Sequence, residues 1–187
     1  LVECKEHVDL SVEAARRSMV LLKNDGILPL DKNDRIALFG GGAVATVKGG
    51  TGSGDVNERE VVSIYRGFQD AGFTFTNKEW LDGYAAVYRE ERLRWRDMLQ
   101  EKLKGAVGIE VLDIYSTTPF HMPAGAAMKG SDVDGAKAVF YVISRKAGEG
   151  ADRFKEAGDY DLTRNEKEEL DWLNEHCENL VVIINAG

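Results

Sequence analysis

The sequence predicts an α/β domain: a mainly parallel sheet with helices on both faces, an α/β sandwich. Three observations carry this. Apolar runs and amphipathic stripes alternate along the chain, the pattern of βα units. The clearest run, Ala138 to Ile143, is apolar at nearly every position, as in strands covered on both faces. Two glycine clusters, Gly40 to Gly54 and Gly148 to Gly150, follow strand-like runs, where open α/β sheets place their ligands. The length of 187 residues suits one domain of ordinary size, and 43% hydrophobic and 30% charged residues with only 3 prolines exclude a disordered or collagen-like chain.

In chain order, Val8, Val12, Ala15, Met19 and Leu22 recur at steps of three and four, predicting a helix over Asp9 to Asn24 capped by Asp9 or Ser11. Gly26 and Pro29 stop it, and Arg35 to Phe39 reads as a short buried strand running into Gly40-Gly41-Gly42. Val61, Ile64, Tyr65 and Phe68 mark a second helix ending at Gly72, before a strand at Phe73 to Thr76. Asn77 is positioned to cap a long helix to about Lys104, with Trp80, Tyr84, Tyr88, Trp95, Leu99 and Leu103 on one face. Its Arg89 to Asp97 stretch mixes charges of both signs, as a solvated face does. Ile109 to Tyr115 is assigned as a strand and Thr118-Pro119 as a turn. After the strand at 138–143, Thr163-Arg164-Asn165-Glu166 spells a capping box. The helix it opens turns Leu170, Leu173 and Cys177 inward, and Leu180 to Ile184 is expected as a last buried strand.

Several function classes are disfavoured. A formal net charge of -8 from 24 basic and 32 acidic residues argues against a nucleic-acid binder. No apolar run approaches the roughly 20 residues of a membrane helix. Cys4 and Cys177 form no metal or disulfide pattern and leave the redox compartment open; His7, His121 and His176 are scattered, so no metal or cofactor is expected.

The chemistry lies in the glycine clusters. The first loop reads Lys48-Gly49-Gly50-Thr51-Gly52-Ser53-Gly54-Asp55: its glycines allow close backbone approach, and Thr51, Ser53 and Asp55 offer hydroxyls and a carboxylate. It is not a Walker loop, because Lys48 precedes the glycines. Gly40 to Ala45 matches G-x-G-x-x-A, but Val44, Thr46, Val47 and four glycines make a poor helix for a dinucleotide site. A nucleotide-binding or non-catalytic α/β module stays as the alternative. The second loop, Ser144 to Arg153, holds Glu149 between Gly148 and Gly150. Glu149 reads either as a solvated surface carboxylate or as a general acid. Arg145, Lys146 and Arg153 would hold it ionised, while partial burial would raise its pKa.

Four stretches together resemble glycoside hydrolase family 3, the β-glucosidase type, in its C-terminal α/β-sandwich domain. Ala14 to Leu30 is similar to the family's entry helix and its V-L-L-K-N-x-x-x-L-P-L signature, Lys48 to Asp55 to K-G-G-x-G-S-G-D, and Arg145 to Arg153 to R-x-x-G-E-G-x-D-R. Asp161 to Asn185 resembles the family's L-x-x-x-E helix and V-V-V-I-N strand; Gly105 to Gly135 departs from a clear pattern. The resemblance implies a retaining β-glycosidase, most simply a β-glucosidase acting on terminal β-glucosides. Its nucleophilic Asp would sit in a preceding barrel domain of the same polypeptide, with residues 1–30 as helix and linker from that barrel. The sandwich domain would fill 1–187 and continue beyond Gly187. Glu149 would be the acid/base, and Ser53, with Thr51 beside it, would bond the sugar. Gly52, Gly54 and Asp55 would shape the first loop, and Gly148, Gly150, Asp152 and Arg153 the second.

Overall fold

The computed structural model describes residues 4–49, 61–146 and 154–186. The chain divides into two units, 1–30 and 31–187. In the first, helix α1 spans Lys5–Ser18, earlier at both ends than the stripe suggests. Glu6 in its first turn and Arg16 and Arg17 in its last complement the helix dipole, and no side chain caps it. The Ser18 hydroxyl donates to the Ala15 carbonyl (2.9 Å), a local bond that competes with continuation. Met19 is already extended, so Met19 and Leu22 lie outside the helix and are exposed. Asn24 builds the following turn: its Oδ1 accepts from the Gly26 and Leu28 amides and its Nδ2 donates to the Leu28 carbonyl.

The second unit holds β1 (Arg35–Phe39), α2 (Gly41–Val44), α3 (Ile64–Asp70), β2 (Thr74–Phe75), α4 (Lys78–Leu103), α5 (Ile109–Thr117), α6 (Gly130–Val133), β3 (Ala138–Arg145), α7 (Arg164–His176) and β4 (Leu180–Ala186). The four strands form one parallel sheet in the order β2-β1-β3-β4. Ile36 to Phe39 and Ala138 to Ile143 are buried, as their unbroken apolar runs predict. Adjacent residues of a strand face opposite ways. Phe140 meets the Phe68 ring of α3 (4.9 Å), while Tyr141 donates to Glu169 of α7 (2.5 Å), so helices cover both faces.

Three expectations are corrected. Ile109 to Tyr115 lies in the helix α5, because a short apolar run does not distinguish helix from strand by periodicity. β4 is half-exposed: it lies at the edge of the four described strands, and Val182 and Ile184 are open. Asn77 precedes α4 but does not cap it. Its buried carboxamide instead accepts from the Leu38 amide (3.1 Å) and donates to the Leu38 carbonyl (2.8 Å). Since β2 ends at Phe75, Asn77 supplies the hydrogen bonds of a missing strand residue beside β1.

The aromatic stripe of α4 is core at Trp80 and Tyr84, as expected, and half-buried at Tyr88 and Trp95. Trp80 and Tyr84 are buried and stacked, and their polar tips donate to the carbonyls of Ala126 (2.8 Å) and Pro123 (3.0 Å). Its charged face is solvated: Arg94 pairs with Glu90, both largely exposed, and with the half-exposed Glu91.

Candidate functional site

The chain runs from β1 outward to β2, then crosses back to β3 on the other side of β1. The boundary between β1 and β3 is therefore the topological switch point, where the crevice at the carboxyl ends of an open parallel sheet receives ligands. The second glycine loop begins at the carboxyl end of β3, and the first follows β1 after the single turn of α2.

Gly40 closes β1 with φ of +86°, and a Cβ there would lie 2.3 Å from the Val142 carbonyl oxygen. At Gly42 a Cβ would come within 2.8 Å of Ser144 Oγ. These glycines let α2 lie directly against β3, which accounts for the G-x-G-x-x-A spacing by packing.

Beyond α2, the Thr46 hydroxyl donates to the Gly42 carbonyl (2.9 Å) and accepts from the Ile64 amide (2.8 Å). It thus ties the two stems of the first loop together. Asn185, on β4, accepts from the Val47 amide (2.6 Å) and from Ser144 Oγ (3.0 Å), and donates to the Val47 carbonyl (3.0 Å). One carboxamide joins β4, the exit of β3 and the first loop.

The second loop leaves β3 through Arg145. Its guanidinium grips Glu166 at both carboxylate oxygens (2.8 and 2.7 Å) and donates to the carbonyls of Ser144 (2.9 Å), Asp159 (2.7 Å) and Asp161 (3.4 Å). Glu166 also accepts from the Thr163 amide (2.8 Å), completing the capping box of α7. Burial pushes the Glu166 carboxyl up, but the Arg145 and Thr163 hydrogen bonds outweigh it and hold it below the usual range. The bond from Glu166 raises the Arg145 pKa against the opposing effect of burial. Among the described residues, Arg145 is thus committed to Glu166, while the expectation that its charge serves Glu149 lies outside them.

The predicted residues themselves, Thr51, Gly52, Ser53, Gly54 and Asp55 in the first loop and Gly148, Glu149, Gly150, Asp152 and Arg153 in the second, lie outside the described residues. The structure describes their stems. Thr46, Ser144, Glu166 and Asn185 carry the scaffolding. Sequence reading gave Glu166 only its capping role and Asn185 only its place at a strand end, because their partners are remote in sequence.

Beneath this edge, burial and then the hydrogen bond and charge of Glu169 push the Tyr141 phenol well above its ordinary pKa; burial, then Glu169, does the same to Tyr84. A raised folded-state pKa lends stability that is complete below the unfolded value of about 10 and is lost as pH rises beyond it. We expect unfolding to set in above about pH 10 and Tyr141→Phe to weaken that alkaline sensitivity, read by circular dichroism across a pH series. An unchanged alkaline limb in the variant would contradict this.

Among the described residues, no group of three or more His, Cys, Asp or Glu side chains could hold a metal, and no helix is long and apolar enough to cross a membrane.

A profile of the glycosyl hydrolase family 3 C-terminal domain matches residues 19–187. The chain belongs to this family. Beta-glucosidase A of Butyrivibrio fibrisolvens is 29% identical over 98% of the chain, and a beta-glucosidase of Ruminococcus albus 27% identical over all of it. The chain spans only 23% and 18% of these family 3 relatives' own lengths. Among solved structures, beta-glucosidase 3B from Thermotoga neapolitana in complex with glucose superposes with a TM-score of 0.64 at 27% identity, covering 97% of this chain and 24% of that one. A beta-glucosidase from Paenibacillus barengoltzii shares the fold with a TM-score of 0.71 at 23% identity, over 99% of this chain and 19% of its own.

Proposed function

We propose that this family 3 domain bears the acid/base of a retaining β-glycosidase, most simply a β-glucosidase hydrolysing terminal β-glucosides. A nucleophilic Asp would come from a barrel domain of the same polypeptide. The observation that carries the reading is the placement of the two motifs after the strands that flank the switch point: R-x-x-G-E-G-x-D-R starts at the last residue of β3, and K-G-G-x-G-S-G-D follows β1 by way of α2. The names of the relatives supply the substrate class.

In this mechanism Glu149 protonates the departing glycosidic oxygen as the Asp attacks the anomeric carbon. It then takes a proton from the water that releases the sugar. The two carboxyls must stand about 5–5.5 Å apart, so Glu149 has to reach beyond its own domain, and a glycine on each side gives its backbone that freedom. Ser53 and Thr51 bond sugar hydroxyls. Gly52, Gly54 and Asp55 shape the first loop; Asp152 and Arg153 order the second.

The isolated 187-residue chain should release no sugar from a β-glucoside, while the longer polypeptide should yield the β-anomer first, followed by NMR. Turnover by the isolated chain would refute the shared site. The α-anomer appearing first would refute retention.

A further inference from the structure

We infer that Arg145, held by Glu166, is a positioning residue for the acid/base loop: it sets where Glu149 stands without touching the bond that is cut. The inference rests on the proposed role of Glu149 and names the device that serves it.

The geometry is that of a clasp. Arg145 is the last residue of β3, and its partner Glu166 lies in the first turn of α7. The ion pair thus joins the point where the chain leaves the sheet to the point where it enters the next helix. All five guanidinium N–H donors have an acceptor in the bonds described above, and three of those acceptors are main-chain carbonyls. Two of them, Asp159 and Asp161, belong to the returning side of the loop. That side is itself a tight turn: the Phe154 amide donates to Asp159 Oδ2 (2.5 Å), the Tyr160 amide to the Phe154 carbonyl (3.2 Å) and the Gly158 amide to the Asp161 carbonyl (2.8 Å). One side chain therefore references both flanks of 147–153 to the sheet. Arg145 and Glu166 are 10% and 16% exposed, so water screens the pair far less than it screens the helix-surface ion pairs.

A lysine in place of Arg145 would keep the charge and lose the fork, so that it could not hold the Glu166 carboxylate and the Asp159 and Asp161 carbonyls together. Gln in place of Glu166 would keep the capping box and remove the charge. Neither change touches an unassisted departure of the leaving group, so the signature of misplacement is selective.

The test compares Arg145→Lys, Glu166→Gln and Glu149→Ala in the full-length polypeptide, on an alkyl β-glucoside and on a dinitrophenyl β-glucoside. The first leaving group needs protonation and the second does not. We expect both positioning variants to lose about tenfold or more in kcat/KM on the alkyl glucoside and less than about threefold on the dinitrophenyl glucoside, with Arg145→Lys the more affected. Taking the ratio of the two substrates in one preparation removes any dependence on the folded fraction. Equal losses on both substrates, or none, in Arg145→Lys while Glu149→Ala shows the split would overturn the positioning role alone. Absence of the split in Glu149→Ala would overturn the acid/base assignment, and the positioning role with it.

Discussion

Glu149→Ala in the full-length polypeptide should lower kcat/KM on glycosides with poor leaving groups by about 10²- to 10⁴-fold, the range contributed by a positioned general acid or base. The reason lies in the two halves of retention. An alkoxide leaves too slowly without a proton, so the first step stalls for alkyl and sugar aglycones. A dinitrophenolate leaves unaided, so kcat/KM on that substrate should hardly change. Its kcat should still fall, because the glycosyl-enzyme now waits for water without a base. Azide is already anionic and needs no base: added to Glu149→Ala, it should restore turnover of the dinitrophenyl glucoside and give glycosyl azide as product. Uniform losses across leaving groups, or no effect of azide, would remove Glu149 from the acid/base role and leave it a surface carboxylate.

Gly40→Ala should cost about 3 kcal/mol or more of stability, by the added strain of a positive φ and an overlap with rigid backbone. The contact is with the Val142 carbonyl oxygen, amide nitrogen and carbonyl carbon, at 2.3, 2.8 and 3.0 Å from the added carbon. No rotamer change relieves a clash between a strand end and the middle of its neighbour, so β1 and β3 would have to separate. Urea denaturation of the variant beside Gly67→Ala, where a Cβ meets nothing within 4 Å, isolates the effect. A loss below about 1 kcal/mol at Gly40, the size of an ordinary glycine-to-alanine change, would show that the strands yield there. Because Val142 lies two residues before Ser144 and three before Arg145, the same displacement should reach the second loop and lower activity in whatever protein remains folded.

Most elements were legible because their signals are local. The run at 138–143, the capping box at Thr163 and the stripe of α4 each report on neighbours within a turn or a few strand residues, and each stands where expected. Three of the failures share one cause. Ile109 to Tyr115 is apolar enough for either kind of element. Leu180 to Ile184 carries the composition of a buried strand but occupies an edge of the four described strands. Met19 and Leu22 continue a helical stripe past the residue where the helix ends. In each case the pattern is compatible with two backbones or two environments, and the surroundings decide between them.

The amino-acid sequence alone was sufficient for the α/β class, the alternation of its elements and the family motifs that contain Ser53 and Glu149. These follow from residue type and short spacing. The order β2-β1-β3-β4, which makes β1 and β3 the switch point, needed the tertiary structure, as did the three polar side chains that organise it. Asn77 serves the backbone of Leu38, Asn185 reaches Val47 across 138 positions, and Arg145 closes on Glu166. A buried amide or guanidinium is satisfied by whichever partner the fold brings within 3 Å or so, and that partner is set by strand order, which local spacing does not encode.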